Sequence, residues 1–516
     1  MRVGWTPCTG MAGTWNVTEH EGSRMSLEAD VLIAGAGFAG LRAAIAAAVS
    51  GRGLRVIVLA PHEGPGGSSF AGHAGSLGVL APADDEEREA LLERALSIAQ
   101  PGTADPALVR LLLEQGEPRL RELEQWGVPL ATGPGGTRLR RSACFFPEMA
   151  VAAVIPDCAA AHAAVLRVAV AAGVEVLPGF TLAALGVEGG SPGSALCLDP
   201  VGNVLPVRAR SVVLAVGGPA SLFTNDASGP GQTGTGLGLA RDCGARTGNA
   251  SFLQFLWYEG GQPFPFLPQR AHELEVAGPD GVPAALPRQL RHHVASRATH
   301  APWGWGLPDA ALDAYLLARM TPAGVVPVRY HGEREPRLLS LMAQAGNGGA
   351  LIDADGRTSV AGLFACGECA TGMHGANRIG GAMVLAAQVF GHRAGIAAAL
   401  HAHSALLPPP PTAPEAPEHQ SARHPLRLRE AMQRNCLPGI PGEALHAARP
   451  GFGGPAGSER QRQELELFVE RLKALLLLPA VDLLDRARVI SCLTVAEHRL
   501  RRLRAECEAV APAPVA

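Results

Sequence analysis

The order of apolar and polar positions along the chain predicts an α/β domain. Val31, Leu32 and Ile33 form a short apolar run suited to a buried parallel strand. An Ala-rich stretch with helical periodicity follows, and Val56 to Leu59 form a second apolar run, so the three segments read as one βαβ unit. Returning strands are expected around Val174 to Leu177 and Val212 to Val216. Further along, the HHVASRA run at 292–298 predicts a helix, and the stretch near Glu464 to Leu478 predicts an amphipathic one.

Glycines give this unit its chemistry. Gly35, Gly37 and Gly40 match G-x-G-x-x-G between the first strand and its helix, the context a dinucleotide fingerprint demands. Gly35 permits the tight turn, Gly37 leaves room for a pyrophosphate, Gly40 lets helix and strand pack, and the helix N-terminus offers N–H groups to phosphate. One residue is missing: the second strand ends Leu59, Ala60, Pro61, without the acidic residue that holds ribose hydroxyls. That counts against an ordinary NAD site.

The segment GLFACGECATGMHGANRIGGAMVLAAQVFGHRAG at 362–395 resembles the C-terminal FAD motif of the fumarate reductase, succinate dehydrogenase and L-aspartate oxidase flavoprotein superfamily. GGSSFAGHAGSLG, GVPL at 127–130, VVLAVGGPASLF at 212–223 and GPGQTGTGLGLARDCGA at 229–245 resemble it too, in the same order, so the likeness covers 28–260 and 345–400. A small residue at Ala60 is ordinary in that family. The resemblance implies a Rossmann-like FAD-binding domain in two parts, 26–253 and 346–403, with an inserted α+β capping domain at 254–345 that closes over the flavin. Outside these lie a tail at 1–25, a Pro-rich linker at 404–424 and a C-terminal helical region at 425–516. Met25 is read as the start of translation.

The resemblance also assigns residues. Gly67, Ser68 and Ser69 match the loop lining the flavin, with Gly217, Gly380, Gly381, Val384 and Leu385 as further cofactor-binding positions. Ser68 stands where the covalent enzymes carry the histidine that attaches FAD, so non-covalent FAD is expected. Glu368 matches the glutamate that holds the ribitol or ribose; its other reading is a carboxylate at a helix start. Arg378 matches the arginine that binds a substrate carboxylate, where the planar fork suits two hydrogen bonds; its other reading is a structural salt bridge. His374 and His73 are each either site residues or packed histidines. In Arg291-His292-His293-Val294-Ala295-Ser296-Arg297-Ala298, His292 falls at the family's proton-shuttle position and Arg291 one residue away. The implied activity is hydride exchange between FAD and a small, carboxylate-bearing substrate, by an FAD-dependent oxidoreductase. The alternative is a non-catalytic or electron-relay flavoprotein subunit.

Several departures limit the likeness. Leu256 replaces a substrate histidine, Gln344 stands where another is usual, Thr235 replaces an acidic residue, and Ala143 to Val151 replace a GGHS-like segment. The equipment for gripping a C4 dicarboxylate is therefore depleted, and Phe145, Phe146, Trp257 and Tyr258 point to a larger or less polar substrate or to a filled cap interface.

Composition narrows the remaining possibilities. A chain of 516 residues, 47% hydrophobic and with a net charge of −3, holds two or three domains and offers no basic field for nucleic acid. No uninterrupted apolar run reaches ~18 residues, and 150–173 comes closest, so no membrane span is expected; without a signal-peptide pattern, the reading is cytoplasmic. The 10 cysteines form no disulfide framework, and the C-x-x-C at Cys366 and Cys369 lies inside the FAD motif, so no metal site is expected. No iron–sulfur cysteine run is present, so onward electron flow would need a separate redox partner. Arg499, Arg501, Arg502 and Arg504 form either a solvated face or a docking surface for such a partner subunit.

Overall fold

The computed structural model of the chain describes residues 27–409, 455–476 and 483–510, except 74, 189–190, 261, 263–264 and 279. The tail, most of the Pro-rich linker and 425–454 lie outside the described residues. Four parallel strands, in spatial order Glu175–Pro178, Val56–Ala60, Leu27–Ala34 and Val204–Leu214, form one side of a seven-stranded sheet. Val31, Leu32 and Ile33 are fully buried in it. The last of these strands begins earlier than the apolar pattern suggested. Its first half pairs antiparallel with Ser191–Leu198, and its second half pairs parallel with Leu363–Ala365, which brings the C-terminal segment home.

Helices Phe38–Ser50 and Ala382–Ser404 cross this sheet side by side. Gly391 faces Ala39 and Gly395 faces Ala43, so the two run in the same direction and start at the same end of the sheet. A Cβ on Gly395 would lie 2.2 Å from the Ala43 carbonyl oxygen, which is why a glycine stands there. Among the described residues, Ala382–Ser404 is the helix long and apolar enough to cross a membrane, but 67% of its apolar window is buried inside the protein. The 150–173 stretch instead splits into the end of strand Phe146–Ile155 and helix Cys158–Ala171, started by the Asp157 carboxylate accepting from Ala160 N–H at 2.9 Å.

Residues 253–346 form an antiparallel sheet of their own, ordered Leu253–Glu259, Arg337–Gly346, Val325–Tyr330, Leu274–Ala277, Pro283–Ala285. Helix Ala310–Leu317 accompanies it. The helix expected over HHVASRA is two short ones, Arg288–Arg291 and His293–Arg297, with the break at His292. Helices Pro455–Leu476 and Leu483–Val510 pack on each other, and the second lies on helix Gly236–Asp242, where Gly238 N–H donates to Ser491 Oγ at 2.8 Å. The arginine-rich helix is only partly a solvated face. Arg501 and Arg504 are exposed, whereas Arg499 is buried and Arg502 lies over the rings of Phe252 and Trp305 at 4.4 and 4.7 Å.

Buried neutral histidines make this fold acid-sensitive. His392 Nδ1 lies 3.1 Å from Arg42 Nη2 and accepts from it, and burial together with Arg42, Arg119 and Arg393 pulls its pKa down to about 3. Because the unfolded histidine titrates near 6.5, the native state binds fewer protons between these values. Its contribution is complete above pH 6.5 and is lost as pH falls toward 3, weakened by the partial exposure of the ring. Thermal unfolding across pH 4–7 is expected to show Tm falling on acidification, with a shallower fall in His392→Asn; equal slopes would refute the assignment.

Candidate active site

The site begins at the carboxyl ends of the parallel strands, the crevice where α/β sheets take ligands. Gly35 adopts φ +108°, and a Cβ there would sit 2.3 Å from the Ala215 carbonyl oxygen. A Cβ on Gly40 would lie 1.8 Å from Gly35 O, so both positions exclude any side chain. At Gly37 the nearest atom to such a Cβ is Ser69 Oγ at 3.5 Å, and the N-cap position itself, being glycine, brings no side chain to the helix start. The positive end of this 13-residue helix is therefore approached through a position without a side chain. Gly381, with φ +81°, starts the parallel helix at the same end, again with no side-chain cap. A crevice with two helix N-termini that start at glycines fits an anionic dinucleotide.

The flanking loops join this crevice to the segment that carries Arg378. Gly67, with φ +63°, donates to Pro230 O at 2.7 Å, and Ser69 Oγ accepts from Phe38 N–H at 3.4 Å. Ser68 Oγ donates to Gln232 Oε1 at 2.8 Å, and Gln232 Nε2 donates to Gly218 O at 3.1 Å, next to Gly217. Glu368 Oε1 accepts from Gly346 N–H at 2.8 Å, and the carboxylate also takes a backbone hydrogen bond from Gly218. Burial pushes its pKa up to about 7 against these bonds and the nearby Arg378. Val384 is half-buried, and Leu385 is fully buried with its N–H on Gly381 O at 3.2 Å. Gly380 N–H donates to Cys144 O at 3.0 Å, at the tip of the hairpin Arg140–Ala143/Phe146–Ile155.

Arg378 is held from two sides. Its Nε donates to Asn347 Oδ1 at 3.2 Å and its Nη2 donates to Gln254 Oε1. Asn347 is itself fixed by donating to the carbonyls of Gly375 and Ala376 at 3.0 and 3.2 Å. The guanidinium therefore has one orientation, with Nη1 left without a hydrogen-bond partner among the described residues. Burial pulls its pKa down to about 10, still far enough above neutral to keep the charge. His374 is buried, its Nε2 has no hydrogen-bond partner among the described residues, and burial beside Arg378 pulls its pKa well down, so it is neutral.

The other candidates make no hydrogen bond to this cluster among the described residues. Arg291 Nε donates to Leu286 O at 2.9 Å and its Nη1 points to His272; His292 is exposed, with its ring 3.9 Å from that of His293. His73 Nε2 bonds Gln262 O at 2.8 Å, and its ring meets the Tyr258 ring edge-on. The sequence reading missed the buried polar pairs of this region. Arg297 Nε reaches Asp313 Oδ2 at 2.8 Å with both side chains 1% exposed, and His300 Nε2 reaches Asp309 Oδ2 at 2.9 Å. The C-x-x-C thiols are buried, and burial pushes Cys369 up to about 12.

Comparison with known proteins agrees with this geometry. The FAD binding domain family matches residues 30–258 and 291–384, more than half of the chain. The chain belongs to this family. The flavoprotein is 30% identical to an L-aspartate oxidase of Streptomyces coelicolor over 79% of this chain and 75% of that one. It is 31% identical to an L-aspartate oxidase of Caulobacter vibrioides over 80% and 83%. Its fold is similar to that of a solved E. coli quinol fumarate reductase FrdA, with TM-score 0.69 and 20% identity over 92% of this chain and 89% of that one. The flavoprotein binds FAD and is an FAD-dependent oxidoreductase of the fumarate reductase/L-aspartate oxidase group.

Proposed function

We propose that this flavoprotein exchanges a hydride between non-covalently held FAD and a small substrate whose carboxylate binds Arg378. The observation that carries this reading is the half-buried guanidinium, oriented by Asn347 and Gln254 with Nη1 still open. FAD, when bound, supplies the two-electron exchange. The chain's own residues do the rest. Arg378 fixes the acid end, and the sheet of residues 253–346 shields the site from water, where a charge-assisted bond is strongest. Proton transfer is assigned to the Arg291–His292 turn, whose exposed imidazole stands at a break between two short helices. Ser68, bonded to Gln232, offers no group for covalent attachment. A separate redox partner takes or delivers the electrons; one relative, 28% identical, is a fumarate reductase (CoM/CoB) subunit of Methanothermobacter marburgensis.

The test is a flavin difference spectrum of the oxidised holoprotein titrated with a carboxylic acid and with its amide. The acid is expected to perturb the flavin band and the amide to leave it unchanged. Equal perturbation by both would overturn the carboxylate role of Arg378.

Glu368 gives a second expectation. A carboxylate that accepts from cofactor hydroxyls binds best when ionised, so FAD affinity should rise by about tenfold between pH 6 and 8 as a group of pKa about 7 loses its proton. The same raised pKa makes the FAD-free protein hold an extra proton between pH 4.5 and 7, so Glu368 lowers its stability as pH rises through that window. Glu368→Gln should flatten both profiles, read by FAD fluorescence titration and thermal unfolding. An unchanged affinity profile in the variant would remove Glu368 from the cofactor site.

A further inference from the structure

The strand Leu253–Glu259 has two unlike faces. Leu253, Phe255 and Trp257 enter the core of the 253–346 sheet, and Trp257 Nε1 donates there to Asp313 Oδ1 at 2.9 Å. Gln254, Leu256 and Tyr258 share the other face. Gln254 is the residue that holds Arg378, so Arg378 marks one end of this face. Leu256 is only 3% exposed and packs with Tyr258, Ala301 and Ala227, beside the half-buried Cys144, Leu267 and Met342. Side chains two apart on a strand are about 7 Å apart. Beyond the arginine, the face is therefore apolar for about 14 Å, out to Tyr258.

Among the described residues, the basic side chains named around this face are already engaged. Arg297 spends its guanidinium on Asp313 and on the carbonyls of His300 and Ala301. His300 Nδ1 faces the Pro302 carbonyl at 2.8 Å and its Nε2 faces the Asp309 carboxylate, while Phe145 covers its ring at 4.0 Å. His73 Nε2 is bonded to Gln262 O. The hairpin tip adds to the same wall. Phe145 adopts φ +65°, a conformation costly for a bulky residue, and the stack on His300 holds it there. Its neighbour Cys144 is fixed against Gly380, two residues from Arg378. The fold thus uses a strained turn to place Cys144 and Phe145 between the arginine segment and the strand that carries Leu256.

We propose that the substrate is a monocarboxylic acid. Its carboxylate binds Arg378 and its uncharged remainder lies along Leu256, Met342 and Tyr258. Leu256 is the specificity-determining residue, because a second carboxylate at its level would be desolvated without a partner. The inference rests on the reading of Arg378 as the carboxylate anchor.

The test compares butyrate, 3-phenylpropanoate and succinate as titrants of the oxidised FAD holoprotein, read by the flavin difference spectrum. Butyrate and 3-phenylpropanoate are expected to bind about 10- to 100-fold more tightly than succinate, the factor that one buried polar group without a partner represents. Leu256→His or Leu256→Asn should narrow that ratio. Succinate binding as tightly as butyrate to the unaltered protein overturns the inference while leaving the Arg378 reading intact. If no acid perturbs the flavin and Arg378→Gln changes nothing, both fall together. The comparison on the unaltered protein decides the matter even if the variants do not fold.

Discussion

Arg378→Gln is expected to cut turnover severely while leaving FAD bound. The guanidinium is half-buried, fixed by Asn347 and Gln254, and its Nη1 donates no hydrogen bond among the described residues. Removing one partner of a buried charge pair costs about 2–5 kcal/mol, which is about 30-fold to several thousand-fold in kcat/KM. FAD content should not change, because the glycine crevice and the two helix N-termini are built from other residues. Arg378→Lys keeps the charge and loses the fork, so it should fall between the variant and the parent. The check is steady-state kinetics alongside the flavin-to-protein absorbance ratio. Full turnover in Arg378→Gln would refute the anchor, and loss of FAD would give this residue a structural role instead.

The second large effect is on stability. Arg297 and Asp313 form an ion pair with both side chains 1% exposed, and Arg297 also donates to two carbonyls. In Arg297→Met the Asp313 carboxylate keeps only the Trp257 indole N–H among the partners described. Breaking such a pair costs about 3–5 kcal/mol, because the remaining charge stays buried. Adding Asp313→Leu should recover part of that loss, since removing both charges spares their desolvation. Urea unfolding followed by tryptophan fluorescence reports it directly, with Trp257, Trp303 and Trp305 all in the same core. A change below about 1 kcal/mol in the single variant would place the pair among surface-like ion pairs.

These two arginines show how far the sequence could be read. The βαβ unit was legible because its strand, glycines and helix are consecutive, and GANRIGG was legible because its residues are neighbours in the chain. Arg378 was visible for that reason. Its orientation was not, because it depends on Gln254 and Asn347, 124 and 31 residues away. Arg297 was passed over for Arg291 and His292 because the resemblance places the proton shuttle at His292, and the run predicted one helix. The fold instead breaks it at His292 and turns Arg297 inward to Asp313. Alternation along Leu253–Glu259 could have separated Trp257 from Tyr258, since successive strand residues point to opposite faces. The inward turn of Arg499 and Arg502 had no local signal; it depends on aromatic residues of another segment.

The most direct measurement is stopped-flow absorbance of the flavin band under anaerobic conditions. Oxidised holoprotein is mixed with saturated or 2-amino carboxylic acids, and photoreduced holoprotein with unsaturated carboxylic acids, each alongside the matching amide. The account predicts a change of flavin redox state with an acid in one of the two directions, absent with its amide and absent in Arg378→Gln. Flavin exchange that proceeds equally with amides, or that survives in Arg378→Gln, would contradict it.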